Sequence, residues 1–265
     1  MFWELTDMNV KTEIQIQPVG EIKKEVILQV NHLYKSFGDN KVLTDFNLEL
    51  YKGESVVVLG KSGSGKSVLI KCIIGLLKPD SGTIEMFERN IPDVNEEELD
   101  KIRARVGFLF QSNALYDSMT VRQNLEFPLR RHWMEVNQEE VNKKVMQALE
   151  DVGLEHTVDK MPAELSGGMR KRIALARTLI LQPEIILYDE PTTGLDPITG
   201  KEIIELMKDI QAKYKTSSLI ISHDMNCVKM ASNRVVILID GICYANGTWQ
   251  DLLNNADHKV KQFFE

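Results

Sequence analysis

Gly60-Lys61-Ser62-Gly63-Ser64-Gly65-Lys66-Ser67 fits the spacing Gly, four residues, Gly-Lys-Ser. Val56-Val57-Val58-Leu59 before it reads as a buried strand, and Val68-Leu69-Ile70-Lys71-Cys72-Ile73-Ile74 after it as an apolar helix. A corner of that composition turns successive backbone N–H groups inward on one anion, and the helix adds the positive end of its dipole. Lys66 is then within reach of the β- and γ-phosphates of a nucleotide, and the Ser67 hydroxyl is placed to ligate magnesium. A Gly/Ser-rich turn that binds nothing has the same letters, but strand before and helix after are the context this chemistry needs.

Further candidates lie downstream at strand ends. Ile185-Ile186-Leu187-Tyr188 reads as a central strand whose carboxyl end presents Asp189 and Glu190, the position where open α/β sheets bind ligands. Asp189 is placed to hold magnesium through water opposite Ser67. Glu190, facing the other way by strand alternation, is placed to polarise a water in line with the γ-phosphate. Two acids capping the next helix is the competing reading, and the phosphate loop in the same chain weighs against it. Ser218-Leu219-Ile220-Ile221-Ser222 reads as another strand, parallel to these two, whose end places His223 as a donor towards the same phosphate. Upstream, Tyr34-Lys35-Ser36-Phe37-Gly38 sets a ring before a turn glycine. Such a ring stacks on an adenine face or closes a hairpin, and the stretch alone favours neither.

The elements that must position these groups follow from pattern. Strand alternation over Val26–Val30 and Lys41–Leu50, with Val42, Asp45 and Asn47 out of place, predicts an antiparallel sheet ahead of the phosphate loop. Val106–Phe110 reads as a buried strand ending in Gln111, and Glu96–Asp100 begins a helix with acids at its favourable end. Thr120–Asp151 is helical in pattern, with a break expected at Pro128, so a helical lobe is inserted in an α/β chain and closes at Pro162. A helix then runs from Ser166 through Arg177 to Leu181, a hairpin covers Arg234–Asn246 and a short helix Thr248–Asn255. Met1–Glu25 reads as a poorly ordered leader with a short strand at Glu13–Gln17, and residues 256–265 as a tail.

Composition narrows the function. A chain of 265 residues accommodates one large domain with an inserted lobe. The net charge of -7 and pI near 5.4 exclude a global attraction to nucleic acid or anionic lipid. The basic run Arg170–Arg177 is read as a solvated helix face in preference to a nucleic-acid patch. Cys72, Cys227 and Cys243 are far apart in apolar surroundings and read as core fillers in a reducing compartment. No stretch approaches the ~20 apolar residues of a membrane span, and the first residues lack a signal-peptide layout. Service to a membrane is therefore expected from the cytoplasmic side, through a partner.

A phosphate loop, a strand-end glutamine, Leu165-Ser166-Gly167-Gly168, an apolar strand ending Asp-Glu and a late Ser-His-Asp, in that order, resemble the ATP-binding cassette ATPases. Leu-Ser-Gly-Gly is the discriminating segment, because general phosphate-loop NTPases lack it. The resemblance implies an α/β phosphate-loop ATPase domain over residues 26–255, with an antiparallel β subdomain and a helical subdomain inserted at about 112–165. It implies ATP and Mg2+ as ligands, with Gly60, Lys61, Ser62, Gly63, Ser64, Gly65, Lys66 and Ser67 on the phosphates. Phe37, in preference to Tyr34, would stack on adenine. Ser67, Gln111 and Asp189 would serve the metal, and Glu190, His223, Gln111 and Lys66 catalysis. Ser166, Gly167 and Gly168 would meet the ATP of a second copy, so that two chains sandwich two nucleotides, with Gly194-Leu195-Asp196 crossing the interface. Met169 stands where glutamine is more usual, leaving the serine and glycines intact.

Within that family, Met169 to Arg177, Phe110 to Val121, Phe127-Pro128-Leu129 and Asp196-Pro197-Ile198-Thr199 are similar to the Mla-type cassette ATPases. That likeness implies phospholipid transport between bacterial envelope membranes, at the cytoplasmic face of the inner membrane, with a permease and an MCE-domain protein. The permease helix would dock in a groove near Leu115–Phe127. An importer subunit for amino acids or other small solutes would carry the same catalytic core and is the rival expectation.

Overall fold

The computed structural model describes residues 25–132 and 137–265. The strand expected at Glu13–Gln17 lies outside the described residues. The described residues open with β1 (Val26–Phe37) and β2 (Asn40–Tyr51), an antiparallel pair joined through Gly38, which takes φ 59°. β1 thus runs on to Phe37, past the Val30 boundary expected from alternation. Asp45 and Asn47 break the alternation because they pin an irregularity in this pair: the His32 N–H donates to Asn47 Oδ1 at 2.8 Å, and His32 Nδ1 lies 2.8 Å from Asp45 Oδ1. Next come β3 (Ser55–Leu59), α1 (Lys66–Ile73), β4 (Ser81–Met86) and β5 (Arg89–Asn90). β4 pairs antiparallel with β1, as does β5 with β4.

The remainder alternates helix and strand, as a parallel sheet requires. In order these are α2 (Glu96–Ala104), β6 (Val106–Leu109), α3 (Val121–His132), α4 (Gln138–Glu150), α5 (Gly167–Leu179), β7 (Ile185–Asp189), α6 (Pro197–Tyr214) and β8 (Ser217–Ser222). They are followed by α7 (Met225–Ala231), β9 (Arg234–Ile239), β10 (Ile242–Gly247), α8 (Trp249–Leu253) and α9 (His258–Lys261). Among the described residues one sheet holds ten strands, in the order β5-β4-β1-β2-β10-β9-β3-β8-β7-β6. β3, β6, β7, β8 and β9 pair in parallel, so the carboxyl ends of β3, β7 and β8 open on one edge. All residues of β3, β7 and β8 are buried, which is why they read as continuous apolar runs.

Helices α3, α4 and α5 carry an apolar cluster of their own, built on Val121, Leu125, Leu129, Val145, Leu149 and Ile173. Ala174, Leu175 and Leu179 on α5 belong instead to the cluster beneath the sheet. α5 is therefore the shared beam between the helical group and the sheet. The break expected at Pro128 is absent, and α3 passes through it. An interior proline costs roughly 3 kcal/mol by removing an N–H and crowding the preceding turn. Fully buried Leu125 and Leu129 on either side offset it. So does Asn124, whose amide donates to the carbonyls of Tyr116, Met119 and Thr120, each at 3.1 Å, and accepts the Tyr116 N–H at 2.8 Å. Cys72 and Cys227 are buried and Cys243 is half-buried; burial pushes the Cys72 thiol up to about 11 and Cys227 up to about 12. No helix among the described residues is long and apolar enough to cross a membrane.

Candidate nucleotide site

The loop Gly60–Gly65 leaves β3 and enters α1, and two of its glycines are required by crowding. A Cβ at Gly60 would lie 2.5 Å from Ser64 Oγ, and one at Gly65, where φ is 102°, would lie 2.7 Å from Val42 Cγ1. Lys66, buried, donates through Nζ to the carbonyls of Gly60 at 2.7 Å and Lys61 at 3.1 Å. Its ammonium is thus held over the mouth of the loop. Ser67, the next residue, donates its hydroxyl to Asp189 Oδ1 at 3.3 Å.

From the end of β7 both acids turn towards this loop. Strand alternation does not carry through Glu190, because its backbone takes φ 49°. That left-handed step brings its carboxylate round to the same side as Asp189: Oε1 lies 3.6 Å from Lys66 Nζ, and Oε2 lies 2.9 Å from His223 Nδ1 and accepts the His223 N–H at 3.4 Å. The expectation that the two acids face opposite ways is corrected on this point. Burial raises the Asp189 carboxyl above its ordinary range, partly countered by the Ser67 hydroxyl. Thr192 donates to Asp224 Oδ2 at 2.9 Å, fixing the turn after Glu190 to the one after His223.

These groups border a cavity of about 420 Å3 lined by Phe37, Gly65, Lys66, Ser67, Gln111, Glu190 and His223, with Asn40, Val42, Ser62, Gly63 and Val68 completing the wall. Lys61 and Ser64 line an adjoining cavity of about 540 Å3 together with α9. Phe37 is half exposed at the rim, and Lys35 Nζ stands 5.4 Å from its ring. Tyr34 does not line either cavity. Sequence reasoning overlooked Asn40 and Val42, whose only signal is their place just after the Gly38 turn.

Ser166, Gly167 and Gly168 do not line this cavity. They open α5, with Ser166 Oγ accepting the Met169 N–H at 3.2 Å, and face outward, near Leu195 and Thr199. One chain therefore gathers the phosphate loop, both acids, Gln111, His223 and Phe37, and leaves Leu-Ser-Gly-Gly elsewhere. Gly194 takes φ 80°, and Asp196 caps α6 by accepting the N–H groups of Ile198 and Thr199.

The donor set fits the ligands the sequence implied. Buried Ser64 Oγ has no protein partner, and the loop offers a cradle that a side chain at Gly60 or Gly65 would fill. Ser67 and Asp189 supply adjacent hydroxyl and carboxylate oxygens, the hard donors magnesium prefers. Among the described residues no three His, Cys, Asp or Glu side chains converge, so an ion here depends on phosphate oxygens for further ligands.

The ABC transporter family matches residues 43–193. The chain belongs to that family. It is 36% identical to the intermembrane phospholipid transport system ATP-binding protein MlaF of Haemophilus influenzae over 90% of each chain. It is 39% identical to the "Probable ribonucleotide transport ATP-binding protein mkl" of Mycobacterium leprae over 92% of this chain and 70% of the relative; the Mycobacterium bovis mkl is spanned over 66% of its length. The methionine import ATP-binding protein MetN of Campylobacter jejuni is 34% identical over 89% of this chain and 75% of its own. Among solved structures, the ATP-binding cassette MJ0796, dimeric and bound to ADP and Pi in a post-hydrolysis state, is 32% identical with a TM-score of 0.76 over 83% of this chain and 98% of that one. CbiO1 of Clostridium perfringens, part of the transporter complex cbiONQ, gives 0.79 at 32% identity over 87% and 91%. The fold is that of an ABC ATPase, and the protein is an ATP-binding transporter ATPase subunit.

The basic helix takes a different part from the one its sequence suggested. Lys171 is buried, and Arg170, Arg172 and Arg177 are half-buried with donors committed to the carbonyls of Leu165, Val152, Asn113 and Ala114. These four cations brace the interior, which corrects the expectation of a solvated face and also leaves no basic patch there for nucleic acid.

Proposed function

We propose that two copies of this chain sandwich two ATP molecules and that their hydrolysis drives a membrane permease. The observation that carries this is the division of the site: Phe37, Gln111, Asp189, Glu190 and His223 converge on the phosphate loop, while Ser166 at the head of α5 lies outside that cavity. In the proposed cycle the backbone of Gly60–Gly65 and Lys66 hold the phosphates, Phe37 stacks on adenine, and Ser166 to Gly168 of the second copy cover the γ-phosphate. Ser67 and Asp189 would hold magnesium, assisted by Gln111. The ion supplies positive charge to the phosphate oxygens. Glu190 orients the attacking water and accepts its hydrogen bond; His223, held by Glu190, donates to the γ-phosphoryl oxygens as their charge spreads. Glu190→Gln should abolish steady-state hydrolysis by the assembled transporter and leave ATP-bound dimers on size-exclusion chromatography. An unchanged turnover rate would refute the role of Glu190.

We read the cargo as phospholipid, with an MCE-domain protein and a permease as partners at the cytoplasmic face of the inner membrane. The likeness to MlaF, which takes in 90% of both chains, supports this. The likeness to MetN supports the second reading, import of an amino acid or similar solute. Copurification from native membranes separates them: an MCE-domain protein among the captured chains favours lipid, a periplasmic solute-binding protein the importer. The docking groove is read as the cavity of about 560 Å3 between α3, β6 and α5, whose exposed Leu76, Tyr116 and Phe127 offer an apolar floor. Tyr116 and Phe127 pack together with ring centroids 4.9 Å apart. Charged residues at both positions should release the permease; retention of the permease refutes the groove.

A further inference from the structure

The loop that follows Gln111 adopts a backbone that its own residues do not favour. Asn113 and Ala114, consecutive and neither of them glycine, both take left-handed conformations, with φ 65° and 52°. Two such steps in a row persist only where the surroundings over-determine them. Here the surroundings are two cations from α5. Lys171 Nζ donates to the Gln111 carbonyl at 3.1 Å, and Arg177 spans the Ala114 carbonyl at 2.7 Å and the Asn113 carbonyl at 3.2 Å. The guanidinium also stands 5.9 Å from the Tyr116 ring. Three of the four carbonyls from Gln111 to Ala114 are thereby bonded to one helix, although Gln111, Ser112 and Ala114 are themselves exposed.

Lys171 is an expensive way to make a packing contact. It is 1% exposed, and burial pushes its ammonium down to about 8, with only the Asp189 carboxylate acting the other way. A methionine or leucine would fill that position on a helix wedged between two apolar clusters without desolvating a charge. The ammonium joins two parts of the site: the Gln111 backbone and the helix whose first residues are Ser166 to Gly168.

We propose that Lys171 and Arg177 clip the Gln111–Ala114 loop to α5, so that Gln111 beside one nucleotide and Ser166 facing the partner's nucleotide shift as a single body. Neither residue lines the nucleotide cavity, and both are positioning residues acting through Gln111. The inference rests on the nucleotide-site reading above and adds to it a path between the two sites of the dimer.

The test uses the full chain in its assembled transporter. Lys171→Met should leave the KM for ATP within about twofold while kcat falls on the order of tenfold to a hundredfold, the pattern of a displaced catalytic group. Lys171→Arg, which keeps a donor on the Gln111 carbonyl, should recover most of kcat. In a double-mutant cycle Gln111→Ala should cost little further once Lys171→Met is present, since both act through one side chain. A merely structural role predicts instead a lower melting temperature, with KM and kcat unsplit and the two losses multiplying. Either that pattern or an unaltered kcat in Lys171→Met overturns the clip. If Lys171→Met does not fold, Arg177→Met run through the same cycle decides by the same outcomes. A wild-type transporter that hydrolyses no ATP counts against the nucleotide-site reading itself; an active one with an indifferent Lys171→Met counts against the clip alone.

Discussion

Gly168 is the glycine whose replacement tests the packing of α5 most directly. It lies in the first turn of α5, and a Cβ built there would stand 2.7 Å from Thr199 Cγ2. Thr199 is at the start of α6, where its N–H donates to Asp196 Oδ1 at 3.0 Å and its hydroxyl helps hold the Asp196 carboxyl below the usual range. Turning Thr199 about χ1 to clear the new methyl would give up that hydroxyl contact. Forcing a methyl into a filled space costs about 1–3 kcal/mol. Replacing glycine by alanine in a helix returns at most about 1 kcal/mol, and less in the first turn. Gly168→Ala should therefore destabilise the protein by about 1 kcal/mol.

Thr199→Ser removes the clashing Cγ2 and retains the hydroxyl. In that background Gly168→Ala should change sign and stabilise by about 0.5 kcal/mol, a coupling of about 1.5 kcal/mol between residues in contact. Urea denaturation of the four proteins measures it. The same sign and size of effect in both backgrounds would refute the contact. Activity gives an independent reading: if Gly168 abuts a partner's triphosphate, ATP hydrolysis falls with Gly168→Ala whether or not Thr199 has been relieved.

Asp189→Asn removes a carboxylate whose pKa burial raises. Because the folded state then disfavours the ionised form, the penalty grows as pH rises above the ordinary carboxylate range. The variant should melt higher than wild type at neutral pH, with the gap closing as pH falls towards about 4, while magnesium-dependent hydrolysis is lost. Tyr214→Phe deletes the hydroxyl bonded to buried Asp151, which also accepts from Lys213 and Gln147. Loss of a bond to a charged acceptor should cost about 1.5–3 kcal/mol in urea denaturation, and an unchanged midpoint would show the contact to be idle. Leu125→Ala opens the cluster of α3, α4 and α5 at a fully buried site and should cost about 2–5 kcal/mol. Hydrogen exchange should show protection lost in α3 and α4 before β3; equal loss across the sheet argues against a separate helical core. Glu190→Gln removes a negative charge 3.6 Å from Lys66 Nζ. It should tighten ATP about tenfold and leave ADP, which lacks the γ-phosphate, unchanged in equilibrium binding.

What was legible in the sequence is what local chemistry fixes. Continuous apolar runs such as Val56–Leu59 and Ile185–Tyr188 announce strands buried on both faces, and all of these residues are buried. Spacing alone fixed the order Gly60 to Ser67 at a strand-to-helix corner. What escaped depends on partners distant in the chain. Pro128 reads as a break until Asn124 and its four hydrogen bonds are seen to hold the turn around it. Glu190 reads by alternation as pointing away from Asp189, and a single left-handed residue reverses that. The run Arg170 to Arg177 reads as a water-facing charge cluster, because the carbonyls that absorb it belong to loops 20 to 64 residues away, as with Arg172 on Val152 and Arg177 on Asn113, or to Leu165 ahead of the helix. One signal was available even so. Lys171 precedes the apolar stretch Ile173-Ala174-Leu175-Ala176 and lies three and four residues before Ala174 and Leu175 on the same helical face, both facing the sheet. A lysine on the core-facing stripe of a helix is either an error of register or a buried cation with a task, and its register here is fixed by the residues that follow.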